Sequence, residues 1–284
     1  MRTATWAIAV LLGLAAPLAA IADDEDVALR KYHSWGRFHL GSWTQVRIVT
    51  ETLDDGGRVV ATSTTDTKST LVERGVESYA LKLETIVEVS GKKVPSQPQV
   101  VKLGYAGENI GEQLSYCNME DASISIEGRK IRCAVQEVEV LGAGKRLVSL
   151  VRYADSVAPF VLYRRTTQTD LVGPSSPQET EFDVIALDMP FKIGGVLRNT
   201  AHTKQVQRSQ RGTTVTLSVV SLEVPGELVS QNSKKVDERG RLTHRSSLEL
   251  VGYYSASEPP PAVEESSDFR VPRRYQKRAR HDRR

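Results

Sequence analysis

The sequence predicts an all-β protein. Its core is one large curved antiparallel sheet, a half-barrel or barrel of about a dozen strands. A short N-terminal helix precedes the sheet and a disordered C-terminal tail follows it. Two observations carry this. Runs such as TQVRIVTETL, ALKLETIVEV, ASISIEG, TVTLSVVSLEV and SSLELVGY alternate β-branched with polar residues along positions 43–254, the period of a strand. Turn residues interrupt these runs every ten or so positions, the spacing of hairpins.

Residues 1–22 come first. Arg2 supplies a positive charge, an apolar run follows over 6–16, Pro17 breaks it, and Ala20-Ile21-Ala22 sets small residues before Asp23. This is the layout of a secretory signal peptide cleaved after Ala22. Residues 4–22 are almost long enough for an uncleaved anchor, but Pro17 and the small-residue site fit cleavage better. With no cysteine near that site, lipid attachment there is excluded. The mature chain is therefore expected outside the cytoplasm, periplasmic or secreted. Residues 23–33 suit a short helix, with acids first and Arg30, Lys31 and His33 last, matching the helix dipole. Helix and aromatic segment together occupy 23–42, and the β domain spans 43–254.

Within that domain the heptapeptides LDDGGRV (53–59) and VDERGRL (236–242) nearly coincide. Each reads as a hairpin with a three-residue loop, Asp54 facing Arg58 and Asp237 facing Arg241. The third loop position needs a left-handed backbone, which Gly57 and Gly240 provide. VEVSGKKV (87–94) and ISIEGRKI (124–131) form a second pair. A two-residue loop starting at Gly91 or Gly128 would make a type II′ turn, matching Val89 to Val94 and Ile126 to Ile131. A looser echo links SVAPFVL (156–162) with EVPGELV (223–229), where a proline marks an edge or corner. The Gly/Pro/Ser-rich stretch 169–180 is the one candidate sub-boundary, so two linked β domains remain an alternative.

Residues 255–284 are rich in Pro, Ser and charge, a composition too poor in apolar residues to fold. From Arg270 onward the tail carries eight Arg or Lys against Asp282, although the whole chain is only +3. A mildly acidic body thus bears a strongly basic end, 270–284, suited to an anionic envelope surface. Export argues against nucleic acid as its partner.

Catalytic signatures are absent: no G-x-S-x-G, H-E-x-x-H, C-x-x-C or phosphate-cradling loop occurs. His202 with Asn199, and His244 in a strand, have no partner that spacing can name. No metal or other cofactor is implied. Cys117 and Cys133 could form a disulfide in an exported protein or stay as two thiols. The densest unusual stretch is YHSWGRFHLGSW (32–43), which includes Trp35, Phe38 and Trp43. Its aromatics either bind an apolar or sugar ligand or plug the open end of a curved sheet.

WGRF (35–38), GSW (41–43), TETLDDGGRV (50–59), GRKIRC (128–133), VAPFVLYR (157–164) and VPGELV before VDERGRLTHRSSLELVGY resemble secreted bacterial proteins of unknown function. Those chains are built from repeated β-hairpins, and the resemblance covers roughly 35–254. It implies no activity and no functional residue. More distantly, the expected sheet is similar to the half-barrel of periplasmic lipoprotein carriers, a likeness of fold alone.

Three functions follow as expectations. The first is a non-enzymatic binder of an apolar or amphiphilic ligand (a lipid or lipopeptide) or of an envelope protein segment, with Trp35, Phe38 and Trp43 at its mouth. The second is a structural or assembly component of the envelope, tethered by its tail. The third is a hydrolase with a site assembled from distant strands.

Overall fold

A computed structural model describes residues 30, 32–173 and 176–257. The expected signal peptide, the basic tail and nearly all of the expected helix over 23–33 lie outside them. The described residues form fourteen strands: β1 (Trp43–Leu53), β2 (Val59–Arg74), β3 (Ser78–Val89), β4 (Lys92–Pro95), β5 (Gln99–Gly104), β6 (Gln113–Ile126), β7 (Arg129–Gly142), β8 (Lys145–Tyr153), β9 (Val161–Asp170), β10 (Gln178–Ile193), β11 (Val196–Ser209), β12 (Gly212–Val220), β13 (Leu228–Val236) and β14 (Leu242–Tyr254). All pairings are antiparallel and belong to one sheet. The expected sub-boundary at 169–180 falls between β9 and β10, which pair with each other within that sheet, and strands continue on both sides of it.

The strand order explains the curvature. β1 starts in the middle of the sheet, and the chain runs outward through β2 to β3, which pairs with both β4 and β5. Residues 105–112 then carry it to the opposite edge, β6, and a meander returns to β14 beside β1. Laid flat, the strands between β5 and β6 would separate those edges by nearly 60 Å, at ~4.8 Å per interval. The connection can span only about 30 Å, even fully extended. The sheet must curl until its margins approach, yet β6 pairs with neither β4 nor β5 among the described residues, so the curl stays open.

Turn chemistry sets the register. Gly57 and Gly240 both have φ +76°. The Asp54 and Asp237 amides donate to the Arg58 and Arg241 carbonyls at 2.9 Å. Asp54 Oδ1 accepts from the Gly56 and Arg58 amides, and Asp237 Oδ1 from those of Arg239 and Arg241. Because β1 pairs with β14, the two loops are neighbours on one rim, and Arg241 of one reaches Asp55 of the other at 2.8 Å. The second hairpin pair differs from expectation. Its loops are Ser90-Gly91 and Glu127-Gly128, with both residues of each at positive φ. That is a type I′ turn, whose twist matches the strands better than the II′ turn expected. Val89 therefore faces Lys92 rather than Val94, and Ile126 faces Arg129 rather than Ile131. The slip is two residues in the pairing, which leaves every side chain on its own face.

The two faces of the sheet differ in chemistry. One row on the inner face reads Ile48, Leu248, Gln231, Ser218, Thr203, Val184 across six strands, all buried. The outer face carries ion pairs, including Arg47–Asp66, Arg245–Glu51, Arg165–Glu179 and Arg208–Glu181. Exposed pairs of this kind add little stability; they keep the convex surface wet. In β7 the buried residues change parity at Val135–Gln136. Beyond that point the β6–β7 tip packs Ile126, Ile131 and Cys133 against Leu162, Val184 and Leu187, and Glu127 accepts the Leu187 amide at 3.0 Å.

Candidate binding cleft at the plugged end of the sheet

Residues 32–42 form the plug. Tyr32 packs on Phe160 (centroids 4.8 Å) and Tyr153, while His33 packs on Tyr79 and Tyr105. One short segment thus touches strands from both arms of the curl. Trp35 and Phe38 join Leu71, Tyr79, Leu81, Leu103 and Tyr105 in a single apolar cluster. The Trp35 indole lies against Gly226 in the β12–β13 loop, where an added Cβ would stand 3.1 Å from the ring. Gly226 also donates its amide to the Ser34 carbonyl at 3.0 Å. Arg37 and Glu227 close the contact with a 2.7 Å ion pair. Burial pushes the Glu227 carboxyl up, and Arg37 pulls against that shift.

His33 is completely buried. Its Nδ1 accepts the Trp35 amide at 3.1 Å, and Nε2 has no partner among the described residues. Burial, with the Arg37 charge assisting, lowers its pKa to about 3. The imidazole is therefore neutral at any physiological pH and acts as part of the packing.

Beside the plug is a small cleft. Tyr32, Ser34, Phe160, Phe182, Glu227 and Arg164 are among the residues that line it, and its volume is about 40 Å³. The two proline-bearing segments that echo each other in sequence meet here, contributing Pro159 and Phe160 from one loop and Gly226 and Glu227 from the other. Arg164 projects from β9 on the inner face and is only 9% exposed. Among the described residues its guanidinium has no hydrogen-bond acceptor and no carboxylate partner. Burial alone lowers its pKa to about 10.

From Arg164 one inner row continues across the sheet as Phe182, Gln205, Thr216, Ser233, Ser246 and Thr50. The adjacent row runs Ser149, Thr166, Thr180, Gln207, Thr214, Lys235, His244 and Thr52. Most of these side chains are half-buried. Ser149 and Thr166 bond each other at 2.8 Å, as Thr216 and Ser233 do at 3.1 Å. The inner surface thus passes from an aromatic plugged end into a trough of mainly hydroxyl and amide groups, with Lys235 and His244 in its second row.

The three aromatics expected at one mouth are not one surface. Trp35 and Phe38 are each 6% exposed, inside the plug. Trp43 is on the outer face beneath the Lys68 ammonium, 4.5 Å from its ring. Trp35 and Trp43 are separated because Trp43 begins a strand whose alternation turns it outward. Cys117 and Cys133 are free thiols, the first exposed and the second buried. Cys117 faces Glu137 and Cys133 faces Ala122. That register places the two cysteines about 13 Å apart along the ladder, beyond the ~7 Å a disulfide tolerates. His202 is on the outer face of β11, and His244 bonds the hydroxyl of Thr243. Neither hydrogen-bonds a carboxylate among the described residues. No group of three His, Cys, Asp or Glu there is placed to hold a metal. Sequence reasoning passed over Arg164 because an arginine among RRTTQT reads as exposed; only its parity with Leu162 and Thr166 hints otherwise.

The sequence matches no family model and no curated protein. Solved structures similar to this chain include a protein described as a lipoprotein from Parabacteroides distasonis. It is 10% identical, with TM-score 0.28, over 76% of this chain and 96% of that one. A second is described as an exported protein with a YmcC-like fold from Bacteroides fragilis, at 8% identity and TM-score 0.29, over 77% and 97%. A third is a DUF1329 family protein from Desulfovibrio piger, at 10% identity and TM-score 0.35, over 89% and 95%.

Proposed function

We propose that this chain is a non-enzymatic, extracytoplasmic binding protein whose ligand is amphiphilic and lies along the inner face of the sheet. The observation that carries the reading is the two-part character of that face. Phe160, Phe182, Val220 and Leu228 line the cleft beside the plug, while rows of Thr, Ser and Gln continue away from it, half-exposed. A sheet that only needed a core would cover such rows with apolar residues from a second layer. Among the described residues the apolar cover from the β6–β7 tip falls on Leu162, Val184, Leu187 and Phe182, and no hydroxyl of these rows belongs to an apolar cluster. A wholly apolar ligand would strip water from those hydroxyls without replacing their hydrogen bonds. An amphiphile satisfies both zones. The signal-peptide layout of residues 1–22 supports the location, and the basic end 270–284 suits retention at an anionic envelope surface.

Tryptophan emission tests this directly. Trp35 rests on Gly226 at the cleft wall, so a Trp43→Phe protein reports from that position. Saturable emission shifts are expected with single-chain amphiphiles below their micellar concentration. A folded protein giving no saturable response, by emission or calorimetry, to anionic, zwitterionic or neutral amphiphiles would end the proposal.

A further inference from the structure

We propose that Arg164 is an oxyanion receptor, holding the carboxylate or phosphate head of the ligand at the plugged end of the inner face. This deepens the binding reading above and rests on it. The argument begins with cost. A guanidinium taken out of water is unfavourable unless it is paired and hydrogen-bonded. Arg164 is 9% exposed, yet the nearby carboxylate of Glu227 is engaged by Arg37 at 2.7 Å. A buried arginine with a structural role ordinarily has acceptors supplied by its own chain, as Arg37 does. Arg164 has none among the described residues; it lines the cleft, and its nitrogens are not among the fully buried unpaired atoms, so they keep a little contact with solvent that an anion can replace.

The size of the cleft selects the group. A volume of about 40 Å³ corresponds to roughly three water molecules. That admits a carboxylate or the oxygens of a phosphate. The head enters it, and the rest of the ligand lies along the hydroxyl rows. Arginine presents paired N–H donors in a planar fork that matches either oxyanion. The aromatic walls, Tyr32, Phe160 and Phe182, lower the local polarity and strengthen the charge pairing.

Calorimetry with three probes of equal chain length, decanoate, decyl phosphate and decyl maltoside, tests the inference in wild type, Arg164→Gln and Arg164→Met. At least one anionic probe is expected to bind wild type tenfold or more tighter than the maltoside. The stronger of the two identifies the head as carboxylate or phosphate. Arg164→Gln should abolish that preference and leave the maltoside affinity within twofold. Arg164→Met, which removes the unpaired charge and keeps the volume, should unfold at a higher temperature than ligand-free wild type. Equal binding of all three probes to wild type, unchanged by Arg164→Gln, would overturn the oxyanion role and leave the binding reading intact. Absence of binding by every probe would defeat the binding reading instead. In that event a rise in wild-type unfolding temperature with inorganic phosphate at constant ionic strength, lost in Arg164→Gln, would still support the receptor, and no rise would overturn it. A lower unfolding temperature for Arg164→Met would show that the guanidinium has a structural partner and would also overturn it.

Discussion

Replacing Gly226 by alanine tests whether the plug is docked as described. Two costs combine at this position. Its φ is +81°, and an L-residue there costs ~1–2 kcal/mol. The new Cβ would also stand 3.1 Å from Cε2, Cζ2 and Nε1 of Trp35. The indole cannot yield freely, because it is 6% exposed and wedged among Leu71, Tyr79 and Leu81. Overpacking of this kind adds roughly 1–2 kcal/mol more. For a chain of this size the total lowers the unfolding temperature by about 5–15 °C. Gly57→Ala is the control. Its φ is nearly the same, +76°, but an added Cβ meets nothing within 4 Å. It should lose only the backbone term, roughly half as much. Differential scanning fluorimetry gives both values. Trp35→Phe removes the crowded ring atoms, so in that background Gly226→Ala should approach the cost of Gly57→Ala, a coupling measurable as a double-mutant cycle. Equal losses for Gly226→Ala and Gly57→Ala, or a cycle without coupling, would mean that Trp35 does not rest on the β12–β13 loop.

Other tests are independent of this one. His33 has a folded pKa of about 3, below its ordinary value near 6.5. Between those values the unfolded chain binds the extra proton, so stability falls as pH falls, by ~1.4 kcal/mol per unit. The raised Glu227 carboxyl acts in the opposite sense above pH ~4.5, so urea midpoints of wild type and His33→Asn should be compared from pH 4 to 7.5. The asparagine protein should lose less stability on acidification, and parallel curves would refute the assignment. Cys117 is exposed and Cys133 is buried; Ellman's reagent should therefore titrate one thiol per native chain and two after denaturation, whereas none in either state would mean a disulfide. Asp54 and Asp237 are held below the usual carboxylate range, chiefly by backbone amides of the Arg58 and Arg241 turns. Asp→Asn at either position should lower the unfolding temperature at pH 7, and progressively less as the pH falls below the ordinary carboxylate range and the wild-type carboxyls protonate; a loss independent of pH would exclude the charge as the cause.

Much of the fold was legible because sheets are written locally. The alternation in TQVRIVTETL turns Val46 and Ile48 inward, and the same rule places Leu248 opposite Ile48 across β14. Gly57 and Gly240 were readable since a left-handed loop position leaves few choices of residue. The second turn pair was misread by one position because both residues of its loops, Ser90-Gly91 and Glu127-Gly128, adopt positive φ. Serine and glutamate do not advertise that conformation. The long-range order was not legible. Nothing in residues 105–112 announces that they carry the chain from one edge to the other. The site was the least visible part: Arg164 and Glu227 are 63 positions apart in sequence, and hydroxyl rows on β9–β14 look like ordinary solvated strand faces until curvature turns them inward. Aromatic density pointed to residues 32–43, which locate the plug but whose tryptophans face opposite sides of the sheet.

The permuted meander gives this arrangement a physical logic. A sheet that began at one edge and ended at the other would place its termini at the margins and leave no covalent restraint on their separation. Here the first and last strands in sequence, β1 and β14, are neighbours in the interior of the sheet, and the margins are tied by residues 105–112. Closure of the curl is thus enforced at one end by a short connection and by a plug that touches Tyr79 and Tyr105 on one side and Tyr153 and Phe160 on the other. The opposite end has no such tie among the described residues. A curl pinned at one end can widen at the other by small changes of twist spread over many strands, without breaking a ladder. Arg164 sits at the pinned end and the hydroxyl rows extend away from it. A ligand anchored by its charge at Arg164 would therefore meet a rigid receptor at its head and an adjustable trough along its body, a combination that fixes the head group more strictly than the tail.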